Sequence, residues 1–289
     1  MLELMLNQKD HILQLPTSIR QAECTIQRFY LLLWPLLNLV EVGNYQKAKE
    51  LTQKYVQLLL NSHYSLKIKV DCLIQLFNSV LSDSGIKAFA FCSLVEVCDA
   101  ENCFDIITER AKSIVKDSVS WNLSKAERQD LYKRVGQVLD RQGLSSSAFH
   151  VMYSYLRLFE ETDSALASAE DDARRSVILA IKAVDVVNFA ELVYLPAIKQ
   201  LTNKHAKVFS LLNLFTQASA ADFKKQLNEY RDLMQSEGLT EQELVVKKSY
   251  VQICTLNTQV TNFSYTDLAQ LLNVSTELKL CPRSFPSAS

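Results

Sequence analysis

Glycine and proline are scarce, with five of each in 289 residues, against usual usage of about 7% and 5%. Sheet proteins of this length need many turn glycines, so the shortage points to helices joined by short polar turns. Long apolar runs are missing too. The longest charge-free one, Phe29 to Val40, spans 12 residues, where a membrane helix needs roughly 20, and no basic segment precedes the short apolar N-terminus. The expectation is a soluble, cytoplasmic protein without a membrane contact. A charge of one sign is also lacking. The net charge of −1 exerts no global pull on nucleic acid or an anionic membrane. Seven cysteines include no Cys-x-x-Cys pair. Cys72, Cys92, Cys98 and Cys254 fall inside apolar helical patterns, which suits reduced thiols buried as small hydrophobes.

Reaction chemistry is equally sparse. His11, His63, His150 and His205 lie far from one another and from any cysteine, so no zinc-ligand spacing exists. Cys98 and Cys103, five apart, have no second pair and read as structural thiols. No two glycines lie within six residues of each other, which excludes a phosphate-cradling loop or a dinucleotide fingerprint. No Gly-x-Ser-x-Gly elbow appears. The acids Glu160, Glu161, Asp163, Glu170, Asp171 and Asp172 read as a solvated connection with helix-start carboxylates set against the dipole. These absences imply no enzyme, no cofactor, no metal and no small-molecule substrate. Lys224, Lys225, Lys247 and Lys248 form two basic doublets that could face RNA phosphates. Acids interleave with them, and an ordinary solvated face is the competing reading.

What is present is helical period. Val70, Leu73, Ile74, Phe77, Val80 and Leu81 share one helix face. Phe89, Cys92, Leu94, Val95 and Val97 form a broader stripe, as on a helix buried between neighbours. A hydroxyl followed three residues later by an acid or amide marks helix starts at Ser18, Ser124, Ser219, Thr240 and Ser264. Stops are expected at Gly43, Gly85, Gly143 and Gly238. The resulting helices cover 18–42, 45–61, 65–82, 85–99, 103–117, 124–141, 145–160, 170–184, 188–203, 204–216, 219–236, 240–257 and 264–273. Pro35 should kink the first, and Pro196 should occupy a first turn. Helix pairs repeating every 35 to 45 residues predict an all-α, right-handed helical-repeat array, an α-solenoid. Residues 1–17 form an N-terminal segment, 18–160 the repeat array, 161–262 a second helical subdomain and 263–289 a short amphipathic start with a disordered tail. In that start, Tyr265, Leu268, Leu271 and Leu272 are candidate partner-binding residues.

Several segments resemble one family, the m subunit of eukaryotic translation initiation factor 3. They include Trp121-Asn122-Leu123-Ser124, Ser65 to Lys69 with Leu76-Phe77-Asn78, and Phe91 to Val95. Farther on come Ala173-Arg174-Arg175 with Ala180-Ile181-Lys182, Asn188-Phe189, and Phe263-Ser264-Tyr265 through Leu271-Leu272. Together they cover about Gln46 to Asn273. The resemblance implies a PCI module of stacked helices ending in a winged helix, with 161–262 as its helical part. It also implies a noncatalytic scaffold subunit supporting preinitiation-complex assembly on the small ribosomal subunit. The implied partners are other PCI and MPN subunits, the ribosomal subunit through the complex, and mRNA. After Asn273 the sequence departs from the family pattern, so the winged helix is expected to be incomplete. Two alternatives stay open: a PCI scaffold of the proteasome lid or signalosome, and a direct RNA-binding helical module.

Overall fold

The computed structural model describes residues 45–62, 64–79 and 85–257. The expected helices over 18–42 and 264–273, the caps at Ser18 and Ser264, the kink at Pro35 and the stop at Gly43 lie outside them. So do Tyr265, Leu268, Leu271 and Leu272. Among the described residues every regular element is helical and no strand occurs. The chain is all-α, as the glycine shortage anticipates, and divides between Tyr155 and Leu156 into two compact units.

The first unit contains α1 (Tyr45–Leu60), α2 (Leu66–Ser79), α3 (Gly85–Ala100), α4 (Thr108–Asp117), α5 (Lys125–Arg141) and most of α6 (Ser145–Leu156). α3 is its axis. Ten of its residues are buried on all sides of the helix, which its broad apolar stripe foretold, and it packs against α1, α2 and α5. Contact between next-but-one helices as well as neighbours is the pattern of a stacked repeat. Phe77, Phe91 and Trp121 close one end of this core with ring centroids 5.4 to 6.4 Å apart. On an outer edge, Arg134 forks onto Glu96 at 2.7 and 2.8 Å and Arg141 reaches Asp99 at 2.7 Å, tying α3 to α5. Gly136, inside α5, lets α6 approach: a Cβ there would stand 2.5 Å from the sulfur of the buried Met152.

Glu127 joins three helices. It forms the predicted capping box with Ser124, each residue bonding the other's backbone N–H at 3.1 and 3.3 Å. It also accepts from Lys49 of α1 at 2.9 Å. Its carboxylate occupies the place of a side chain on Gly85, where a Cβ would lie 2.1 Å from Oε1. Gly85 therefore opens α3 rather than ending a helix, a correction to its reading as a stop. Gly143 and Gly238 do end helices, at φ +73° and +63°, the left-handed region that glycine enters without a Cβ clash.

The second unit is built from α7 (Glu170–Lys182), α8 (Ala190–Val193), α9 (Pro196–Lys199), α10 (Leu201–Lys204), α11 (Ala206–Gln217), α12 (Ala220–Gln226), α13 (Arg231–Glu237) and α14 (Glu241–Asn257). α7 is central and packs on α9, α10 and α11. Arg174 and Arg175, adjacent on α7, share the Glu237 carboxylate at the end of α13. The helix expected over 188–203 is three single turns. Leu195 is extended (ψ 133°) because the following Pro196 disfavours the helical region, and Pro196 starts a new turn at its first position. The helix expected over 219–236 is interrupted by a 3-10 turn, Leu227–Tyr230. Three residues per turn set Leu227 and Tyr230 on one side, and both are buried.

Burial pushes the Glu127 carboxyl up, but the bonds from Lys49 and Ser124 outweigh it and hold the group below its usual range. A carboxyl with a lowered folded pKa contributes stability above its unfolded value, lost as pH falls through the folded one. Glu127→Gln should therefore be less stable than wild type at pH 7 by about 1 kcal/mol. The gap should close toward pH 3 in urea titrations.

Candidate protein-interaction face

α14 is inverted relative to an ordinary amphipathic helix. Its start is built as expected: Thr240 accepts from the Glu243 N–H at 3.2 Å, and Glu243 accepts from the Thr240 N–H at 2.9 Å. Its inward face carries Leu244, Lys247, Lys248 and Val251, all buried, while Val246, Tyr250 and Ile253 are exposed at 45%, 48% and 38%. The inward set follows steps of 3, 1 and 3, and the outward set steps of 4 and 3. Both are helical stripes.

Two buried ammonium groups are tolerable only if each finds acceptors. Lys247 Nζ donates to the carbonyl of Ala183, the residue capping the C-terminus of α7. Lys248 Nζ donates at 2.7 Å to the carbonyl of Phe215, in the last turn of α11. Both acceptors belong to helix C-termini, where carbonyls lack intrahelical donors and the dipole favours a cation. Between them runs an aromatic row: Phe189 stacks on Phe215 at 5.2 Å, and Phe215 meets Phe223 edge-on at 4.8 Å. Lys247 lies over Phe189 at 5.5 Å and Lys248 over Phe223 at 6.0 Å. At this range an ammonium is attracted to a ring face. The lysines thus brace one side of the unit from α7 to α12.

Because the lysines point inward, the apolar stripe points outward. Beside it lies a cleft of about 430 Å³, lined by Ile181, Val184, Leu239, Val246, Lys247 and Tyr250 among others. Val184 is itself 75% exposed. Lys182 and Glu243 join these mainly apolar residues in the lining, a composition that suits a protein-docking patch.

Of the four lysines proposed to face RNA, Lys224 and Lys225 lie exposed in the last turn of α12. Lys247 and Lys248 do not, which corrects their reading as a surface doublet. Charge alone suggested the surface, but the acceptors that bury them lie 64 and 33 residues away. Val184, Val246, Tyr250 and Ile253 were missed for the same reason. The available signal was the competition between two helical stripes on one segment. Of the acids, Glu170, Asp171 and Asp172 lie in the first turn of α7 as expected, and Glu161 and Glu170 pair with Lys199 and Lys204, but Asp172 is buried rather than solvated. Among the described residues, no three or more His, Cys, Asp or Glu converge as metal ligands. No described helix is long and apolar enough to cross a membrane.

No protein-family model matches the chain. It is distantly related to proteins named eukaryotic translation initiation factor 3 subunit M. Those of Danio rerio and Homo sapiens are 22% identical over 229 residues, 79% of this chain and 60% of theirs. That of Pyricularia oryzae is 20% identical over 213 residues, 71% of this chain and 49% of its own. The chain thus spans about half to three fifths of the length of these relatives.

Burial lowers the Lys247 pKa to about 8 and moves that of Lys248 in the same direction. Between about pH 8 and 10.4 the unfolded chain keeps a proton that folded Lys247 has released, so this group adds stability as pH rises. Burial pushes the Cys92 and Cys98 thiols up to about 12, which acts in the opposite sense. Comparison with Lys247→Met cancels that contribution. Wild type should gain stability relative to Lys247→Met from pH 7.5 to 10. Lys248→Ala, which strands the Phe215 carbonyl and opens a void, should cost about 2 kcal/mol or more in urea unfolding at pH 7.

Proposed function

We propose that this chain is a noncatalytic scaffold subunit of a cytoplasmic assembly of the translation initiation factor 3 type. In this reading it holds other PCI and MPN subunits in place on the small ribosomal subunit. The carrying observation is the outward apolar stripe of α14 beside its cleft, an apolar surface that a helix of a neighbouring subunit would cover. Support for the assembly comes from the distant relatives named subunit M. The same proposal assigns residues 161–262 to a PCI helical subdomain and 263 onward to the start of a winged helix. It also includes Tyr265, Leu268, Leu271 and Leu272, which follow α14 in the sequence, in the partner-binding surface. The proteasome-lid and signalosome readings share this architecture but have no support from those names. Direct RNA binding is left with Lys224 and Lys225, in the same short helix as Asp222, and stands behind the scaffold reading.

Affinity purification of the full chain followed by mass spectrometry should recover other subunits of the factor, and recovery of none overturns the assignment. A Val246→Glu, Tyr250→Glu double variant changes exposed positions, so it should keep its helical circular dichroism. It should lose at least tenfold in subunit recovery. If residues 258–289 of the chain itself cover the stripe, deleting them will raise dye binding to the isolated protein and leave recovery unchanged, which counts against the partner reading.

A further inference from the structure

The first unit holds a second cleft, of about 260 Å³, lined by Phe77, Asn78, Lys87, Phe91, Arg110 and Trp121 among others. Its floor is the aromatic cluster that closes the α2 and α3 core. Two cations from different helices converge above it. Lys87 of α3 and Arg110 of α4 stand 5.0 and 5.3 Å from the Phe77 ring centroid, and Lys87 is also 5.7 Å from that of Trp121. The Lys87 pKa is lowered, by burial first and then by the charge of Arg110, so the two cations repel. Among the described residues neither has a carboxylate within ion-pair distance, and Arg110 makes one long hydrogen bond, 3.4 Å, to Asn78. Arg134 and Arg141 differ, each holding a carboxylate at 2.7 Å. Asp117, which also lines the cleft, accepts a 2.6 Å bond from Ser113.

We propose that this cleft binds the carboxylate of a single Glu or Asp side chain presented by a partner polypeptide, held between Lys87 and Arg110. Charge complementarity selects an anion, since among the described residues neither of the two convergent cations has a carboxylate within ion-pair distance. Size selects a side chain, because the cleft is smaller than the roughly 300 Å³ at which small-molecule sites begin. Chemistry disfavours RNA. Phe91 and Trp121 are 1% and 5% exposed, and cations cover Phe77, so no ring face is free for a base to stack on. This inference does not depend on which assembly contains the chain.

The test uses the full chain, 15N-labelled, titrated with the peptide acetyl-Leu-Glu-Leu-amide and with its Gln counterpart while the Trp121 indole N–H resonance is followed. The expected result is a saturable shift with at least fivefold tighter binding of the Glu peptide. That preference should be lost in Arg110→Gln and in Lys87→Met and should weaken with salt. Arg110 is exposed, so its variant folds even if Lys87→Met does not. Equal binding of the two peptides, no saturable shift up to millimolar peptide, or a preference surviving Arg110→Gln overturns the proposal. So does an oligouridylate that moves the same resonance, in an Arg110-dependent way, more tightly than the Glu peptide.

Discussion

A buried ammonium group must keep its hydrogen bonds or lose its proton, and in the second unit that constraint falls on two consecutive residues. Lys247 and Lys248 occupy the core side of α14, and each donates to a carbonyl at the end of another helix. The arrangement couples three elements. It fills C-terminal acceptors that α7 and α11 cannot satisfy themselves, places a cation at both ends of the Phe189, Phe215 and Phe223 row, and fixes the rotation of α14 about its axis. With that rotation set, Val246, Tyr250 and Ile253 have nowhere to go but outward. The apolar surface and the buried charges are consequences of one geometry.

The first unit uses charge differently. Glu127 sits where a side chain on Gly85 would be, caps its own helix and reaches α1, so a single partly exposed carboxylate sets the spacing of three helices. Arg134 and Arg141 bind α5 to α3 at the edge. Lys87 and Arg110 are instead two cations brought together over aromatic rings. The apolar stripe of α14 and the cationic aromatic cleft are surfaces of opposite character, one apolar and exposed, the other charged.

The distant likeness to initiation factor 3 subunit M and the described helices agree on an all-α chain. Local segments behind the resemblance have structural explanations. Trp121 closes the aromatic core just ahead of a capping box, and Arg174-Arg175 grips one carboxylate across the unit.

Much of this was legible in the sequence. Scarce glycine, apolar spacing and hydroxyl-acid pairs determined that the chain is helical, where α5, α12 and α14 begin, and that Gly143 and Gly238 end helices. These are local properties, settled within a turn or two of backbone. Breaks at 195 and 227–230 were partly visible, since Pro196 marks the first while the second depends on which residues the core accepts. The direction in which α14 faces was not legible. Its two stripes are equally helical, and intrinsic polarity favoured the wrong one. Only tertiary structure brings the Ala183 and Phe215 carbonyls to the lysines, and those distant acceptors decide that charge is buried and the apolar surface exposed.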